Sequence, residues 1–393
     1  MHLYKYLDVF KLQRHICDGL IEVNHHKTLP LHILTYTRKT VYDCLWDDVT
    51  TKCRGLIIGH NNIIISRPFE KFFNINTTYR PETNLFALPA RLPIVTEKLD
   101  GSLGILWKFP EMFQWAFGEG GQPVKVNDSC IGIATKGSFH SKHAEWATQH
   151  YLNNYKSAVW PKGYTPLFEI INEQIQHHIV HYGCPAKLVL IGMINNETGE
   201  EADYNTCYHW AKINGIELIS VYGKTTLEVL NENRENHEGY VLSWSNPCAP
   251  PLKIKVKHNS FLIMQSIIHK ATPKAILEAL REQNYEQIET WTSNFASPLT
   301  DWINDWITKF SLTANDVSHK AYQLVLSIGA TAKTRKEFAE TVLEREPEFA
   351  SICFAMLDQK DHRKQMWKVV EKKFADDMSK PFTTSDEVEE ELE

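Results

Sequence analysis

The hydrophobic period of this 393-residue chain switches once, near residue 258, and that switch restricts the fold to two dissimilar domains. Before it come short apolar and β-branched runs: Ile63 to Ile65, Ile94 to Thr96, Gly104 to Phe109, Phe113 to Phe117, Pro166 to Ile171, Lys187 to Ile194, Gly239 to Trp244 and Leu252 to Val256. Turn signals such as His60-Asn61-Asn62 and Asn195-Asn196-Glu197-Thr198-Gly199 separate them. Runs this short and frequent predict antiparallel sheets, with a few helices between them, one over about 141–157. After the switch the signals are helical. Thr272-Pro273 pairs a capping residue with a proline at the first helical position, and Thr334-x-x-Glu337 is a capping box. Trp302, Ile303, Trp306, Ile307 and Phe310 recur at three- and four-residue spacing, which gives one helix a strongly apolar face. The reading is α+β over residues 1–257, all-helical over 258–378, and a disordered acidic tail over 379–393.

Charge does not exclude an anionic partner. The net charge is −6, but Asp386, Glu387, Glu389, Glu390, Glu391 and Glu393 supply six negative charges at the very end. Removing those six leaves 42 acidic against 42 basic residues, so affinity would follow where the basic residues cluster. Eight cysteines with no C-x-x-C pair argue against a structural zinc site or a disulfide scaffold. Residues 1–15 mix Lys, Asp, Arg and His with apolar residues, unlike a signal peptide, and no 18-residue apolar run suggests a membrane span. A cytoplasmic, membrane-free location is expected.

The sharpest local signal is Glu97-Lys98-Leu99-Asp100-Gly101-Ser102, directly after Ile94-Val95-Thr96. A lysine at the end of a buried strand can lose its proton and become a nucleophile, because burial and nearby cations both favour the neutral amine. Alone, K-x-D-G is an ordinary turn. Here it is followed by Phe168-Glu169-Ile170, a carboxylate inside an apolar strand, and by Glu238-Gly239-Tyr240-Val241, a carboxylate at a strand's start. Leu252-Lys253-Ile254-Lys255-Val256-Lys257 then alternates strictly, which puts three lysines on one sheet face and three apolar residues on the other. Such aligned cations need an anion, and a triphosphate would serve.

In this order the motifs resemble those of the covalent nucleotidyltransferases, the superfamily of DNA ligases, RNA ligases and RNA capping enzymes. Cys53-Arg54-Gly55, Ser66-Arg67-Pro68-Phe69-Glu70-Lys71-Phe72-Phe73-Asn74, Thr135-Lys136-Gly137-Ser138 and Asn196-Glu197-Thr198-Gly199-Glu200 narrow the likeness to the phage-type RNA ligase 1 family, over roughly residues 50–262. Helices after the last K-x-K fit that family, whereas DNA ligases and capping enzymes continue into a five-stranded barrel.

The resemblance implies that Lys98 attacks the α-phosphorus of ATP and carries AMP, which passes to an RNA 5′-phosphate before a 3′-hydroxyl seals the strand. It implies Lys255 and Lys257 as the neutralising pair, although Lys253 and Lys255 also read K-x-K. The later pair puts Phe261 four residues after the second lysine, where relatives carry an aromatic. By the same likeness Asp100 belongs to the catalytic set, Arg54 and Lys71 orient pyrophosphate, and Glu169 accepts from the ribose. Glu238 organises metal-bound water, Gly101 and Val241 line the nucleotide pocket, Lys136 meets ribose or phosphate, and the Glu97 backbone reads adenine. Mg²⁺, with Mn²⁺ as a substitute, is implied, held mainly through phosphate and water. The implied partners are RNA ends bearing 5′-phosphate and 3′-hydroxyl groups, in RNA repair and with nicked tRNA as one candidate. The expected state is a monomer. Arg335, Lys336, Arg363, Lys364, Lys368, Lys372 and Lys373 offer either an RNA-facing basic surface or a solvated one.

Two other readings stay open: a DNA ligase or capping-type transferase, and an inactive RNA-end-binding module on the same scaffold. Singly, Glu169 can be a buried ion-pair partner, Arg67 and Lys71 snorkelling cations, and Phe72 and Phe73 core residues. His177, His178 and His181 lack a completing ligand set and read as a loop rather than a metal site.

Overall fold

The computed structural model describes residues 1–59, 62–109, 115–117, 123–125, 131–175, 179–246, 249–293, 298–378 and 382. The tail from residue 379 (Phe382 apart), His177, His178 and the start of the Phe113 to Phe117 run lie outside the described residues. The chain divides into two compact units, Met1–Phe261 and Leu262–Thr384.

The first unit carries the strands β1 Ile21–His25, β2 Leu31–Tyr36, β3 Arg54–Gly59, β4 Ile63–Ser66, β5 Phe73–Asn74, β6 Ile94–Lys98, β7 Ser102–Lys108 and β8 Trp115–Phe117. They continue with β9 Pro123–Lys125, β10 Ile131–Ala134, β11 Tyr164–Ile171, β12 Lys187–Asn195, β13 Glu217–Leu218, β14 Val221–Tyr222, β15 Gly239–Asn246 and β16 Ala249–Lys257. Helices α1 Val9–Cys17, α2 Arg38–Tyr42, α3 Lys142–Asn154, α4 Tyr204–Asn214 and α5 Thr226–Asn231 lie between them.

Three larger sheets result, with orders β1-β2-β3-β4, β10-β7-β11-β12-β13 and β14-β6-β15-β16-β5. Pairing is antiparallel except at two edges, where β13 joins β12 and β5 joins β16 in parallel. The sheet around β7 is buried on both sides. Leu103, Ile105 and Trp107 pack with Leu31, Ile33 and Ile57 of the first sheet. On the other side, Leu106, Phe168, Ile170 and Leu190 meet Tyr151 of α3 and Trp210 of α4. That explains why Ser102–Lys108 reads as a continuous apolar run rather than an alternating one. Each fully buried Phe, Leu or Ile adds roughly 1.5–3 kcal/mol of burial free energy.

The third sheet is one-sided in the way its sequence alternates. Ile254, Val256, Val95, Tyr240, Leu242 and Trp244 form a core with Val229 of α5. The odd-numbered lysines of β16 therefore face away from that core.

The second unit is helical. Helix α6 Asn259–Lys270 leads into it, and α7 Pro273–Glu282, α8 Tyr285–Thr292, α9 Pro298–Gly329, α10 Arg335–Arg345, α11 Ala350–Leu357 and α12 Arg363–Lys373 follow. Thr272 caps α7 by accepting from the Ala275 N–H at 3.1 Å, and Thr334 caps α10 from Glu337 at 3.2 Å. On α9, Ile303, Trp306 and Phe310 are buried, and the Phe310 and Phe374 rings meet edge to face at 5.1 Å. No helix among the described residues is long and apolar enough to cross a membrane.

Candidate active site

The third sheet sets the site by register. Thr96, Val241 and Lys255 form one row across β6, β15 and β16, and Lys98, Gly239 and Lys257 form the next. Residues in register share a face, so Lys98 and both later lysines of β16 project to the same side. The preceding Glu238 has only 1% of its surface exposed, and its Oε1 carboxylate oxygen receives the Lys98 ammonium and, at 3.4 Å, the Lys257 ammonium. One buried carboxylate thus serves two cations from the strands on either side of β15. Gly239 makes this possible: its φ of +152° suits glycine, and a Cβ there would lie 2.0 Å from the Val256 carbonyl oxygen.

Thr96, Lys98, Val241 and Lys255 of these rows line an open cleft of about 820 Å³, counting its mouth. Of the residues singled out from sequence, Arg54, Glu97, Lys98, Gly101, Glu169, Val241 and Lys255 line it. Glu169 arrives from the second sheet, in register with Leu103 of β7, and Gly101 leaves room for it. A Cβ on Gly101 would sit 2.8 Å from Glu169 Cγ and 2.7 Å from the Ile170 carbonyl oxygen. The wall also carries Phe69, Phe72, Lys253 and Ile219. The Phe72 ring has Lys255 5.2 Å, Arg54 5.8 Å and Lys253 6.0 Å from its centroid, so a π-face holds three cations without neutralising them. On β16, Lys253 is ion-paired with Glu201 at 2.7 Å, as Lys257 is with Glu238 at 3.4 Å.

Other singled-out residues are placed differently. Lys71 and Lys136 do not line the cleft. They converge on Tyr36, with ammonium-to-ring distances of 5.8 and 5.0 Å, and Lys71 also lies 5.0 Å from Trp46. Lys71 and Arg67 are both buried, so neither is a surface cation. The Arg67 guanidinium packs against Gly199 and lies 3.7 Å over the Tyr6 ring, which ties two sequence motifs together as scaffold. The Asp100 carboxylate meets a loop, accepting from the N–H groups of Ile179 at 2.7 Å and Val180 at 2.9 Å. Glu97 donates its N–H to the Ser220 carbonyl, and its carboxylate accepts from Tyr222 at 3.2 Å. His181 pairs with Glu173 at 3.2 Å. Lys257 lies 5.2 Å from the Phe261 ring.

Two contributors escaped the sequence reading. Glu201 sits directly after the Asn196–Glu200 motif with no pattern of its own. Tyr182, whose hydroxyl meets the Asp100 backbone, is a lone aromatic in a polar stretch. Burial, then the adjacent Asp100 carboxylate, pushes its phenol well above the ordinary range, so the hydroxyl stays protonated.

The groups present suit a nucleotide: a glycine cradle, an acceptor for a sugar hydroxyl and cations for phosphates. No group of three or more His, Cys, Asp or Glu side chains able to hold a metal occurs among the described residues. A divalent ion here would depend on phosphate and water oxygens, with Glu238 as the nearest protein carboxylate to the lysines.

The chain is similar to known ligases. A Thermovibrio ammonificans protein named as a candidate RNA ligase is 29% identical over 204 residues, 49% of this chain and 47% of the relative. The match therefore spans about half of the relative's length. An archaeal ATP-dependent RNA ligase structure aligns with a TM-score of 0.47 at 12% identity, covering 78% of this chain and 80% of its own. A Naegleria gruberi RNA ligase variant solved with ATP and Mn aligns at 0.35 and 15% identity, over 51% and 59% of the two chains. The sequence model of the RNA ligase family, of the phage T4 type, matches residues 52–261, more than half of the 393-residue chain, and the protein belongs to that phage-type RNA ligase family.

Proposed function

We propose that this protein is an ATP-dependent RNA ligase that works through a lysyl-AMP intermediate on Lys98, and that Met1–Phe261 holds the adenylyltransferase machinery. The observation that carries the reading is the placement of Lys98, which lines the cleft with Lys255 and Glu169 and shares the Glu238 carboxylate with Lys257. In the first step Lys98, having given up its ammonium proton, forms an Nζ–P bond with the α-phosphorus of ATP. The bond to the bridging oxygen breaks and pyrophosphate leaves with the electron pair. AMP then passes to an RNA 5′-phosphate, and an RNA 3′-hydroxyl displaces it. All three are phosphoryl transfers, governed by positioning and charge.

Lys255 and Lys257 are the proposed neutralising pair, because Lys257 shares the Glu238 carboxylate with Lys98 and Lys255 stands in the adjacent row, whereas Lys253 is held by Glu201. Arg54 would face the departing pyrophosphate, with Lys71 and Lys136 behind it around Tyr36. Glu169 would accept from the ribose. Since the Glu97 N–H is donated to Ser220, an adenine edge would meet the Glu97 carbonyl. Mg²⁺, or Mn²⁺ in its place, would supply charge neutralisation on the phosphates, with Glu238 orienting its water.

The test is incubation with α-labelled ATP and magnesium. Label should remain on the denatured wild-type protein and be absent from Lys98→Ala. Labelling by GTP, or sealing of nicked duplex DNA in preference to RNA ends, would move the assignment to a capping-type transferase or a DNA ligase. RNA binding without covalent label would reduce the protein to an end-binding module. For the substrate we propose broken RNA in repair, the helical unit presenting it. Faster joining of tRNA halves than of a linear oligonucleotide by the full chain would name tRNA.

A further inference from the structure

Between the two motifs that supply Lys98 and Glu238 lies a short segment, Ile179–Tyr182, bonded to both. Toward the first motif, the Asp100 carboxylate accepts from two of its N–H groups, at 2.7 and 2.9 Å. The Tyr182 hydroxyl accepts from the Asp100 N–H at 2.6 Å and donates to the Asp100 carbonyl at 3.2 Å. Toward the second motif, the Asn236 side chain makes a two-bond bridge. Its Oδ1 accepts from the His181 N–H and its Nδ2 donates to the His181 carbonyl, both at 2.7 Å. A third anchor is Glu173, which accepts from the Tyr182 N–H at 2.7 Å.

These contacts fall two residues after Lys98 and two residues before Glu238. Leu99, between Lys98 and Asp100, packs with the Tyr182 side chain on the Ile171, Val189 and Ile219 cluster. Asn236 has φ +55°, a conformation that asparagine tolerates better than most residues and that aims its amide back at the segment. A lysine has four rotatable bonds, and an ion pair with one buried carboxylate oxygen does not by itself fix its Nζ to the tolerance that in-line attack needs.

We propose that Tyr182 and Asn236 are positioning residues for the first reaction step: through Ile179–Tyr182 they clip the Lys98 loop to the Glu238 loop and so hold the Nζ-to-carboxylate geometry. This rests on the lysyl-AMP reading above. Neither residue lines the cleft. Their loss therefore slows attack on ATP without weakening ATP binding.

The test is single-turnover transfer from α-labelled ATP to the full-length protein, across ATP concentrations. Tyr182→Phe removes only the hydroxyl and keeps the ring on Leu99, and Asn236→Gly removes only the amide while keeping the positive φ. Each should lower the plateau rate about tenfold or more, with half-saturating ATP within about threefold of wild type. The double variant should be little slower than the worse single one, because both act on one clip. Thr225→Ala, which removes the distant cap of α5, serves as a control for general destabilisation. Plateau rates within about twofold of wild type, or an equal rate loss in Thr225→Ala at an equal drop in Tm, would overturn the proposal. Absence of label on the wild type would instead remove the lysyl-AMP reading itself, and this clip with it.

Discussion

The two units use the same charged residue types in opposite ways. In the second, the cations are exposed and settled locally. Arg335 is bidentate to Asp358 at 2.5 and 3.0 Å, Arg363 pairs with Asp361 at 2.7 Å, and Lys336 with Glu340 at 3.8 Å. In the first, charged groups from separate strands are brought out of water together, with Glu238 and Lys257 side chains 1% and 4% exposed. Exposed pairs are screened and add little, whereas a buried carboxylate between two ammoniums is costly unless all are present. The difference teaches where chemistry can reside: charges that are expensive to hold in place are gathered around Lys98.

Removing the shared carboxylate breaks the comparison most severely. Glu238→Ala should destabilise the first unit by about 3–5 kcal/mol and lower lysyl-AMP formation by about 10²-fold or more, read by denaturant melts and label retention. Next come the lysines of β16. Lys255→Ala should slow AMP transfer about 10²-fold and Lys253→Ala about tenfold or less, since Glu201 already neutralises the latter; equal losses would erase the distinction between the two K-x-K registers. Gly101→Ala pushes a methyl into Glu169, so half-saturating ATP should rise about tenfold with about 1–3 kcal/mol lost in stability.

A smaller effect concerns His26, which is half-buried against the His140 ring. Burial first, then the neighbouring His140 and Lys27, lowers its pKa to about 4. The unfolded chain binds this proton up to about pH 6.5, so between those limits it holds more protons than the folded one. Stability from this group is complete above about pH 6.5 and declines as pH falls toward 4. His26→Asn should flatten the acid limb of Tm over that window. The smallest effect is expected in the helical unit, where Arg335→Ala should shift Tm by no more than about 1–2 °C.

Much of the fold was legible because alternation and helical spacing are imposed by burial. The comb of β16 and the apolar face of α9 follow directly from residue order. In the first sheet only β4 was legible, as the run Ile63 to Ile65. Ile21–His25 and Leu31–Tyr36 mix Glu, Asn, His and Thr with their apolar residues, and Arg54–Gly59 reads first as a motif. Their strand state is set by packing against β7 rather than by local pattern. The cleft residues were nameable because chemistry fixes residue type and order. Their spatial grouping was not: sequence could not separate Lys253 from Lys257, since the carboxylates that distinguish them, Glu201 and Glu238, come from distant segments. Asp100 belonged to the motif, yet its loop-binding carboxylate depends on Ile179 and Val180, which carry no motif.

The alternation of β16 also limits how this protein can change. The hairpin already absorbs one irregularity, between Trp244 and Asn246, before the first lysine is reached. Beyond that point parity is fixed: inserting or deleting one residue would exchange the contents of the two faces, sending ammoniums into the Val95–Trp244 core and leaving Ile254 and Val256 at the cleft. Length variation along this strand is therefore tolerable only in pairs of residues.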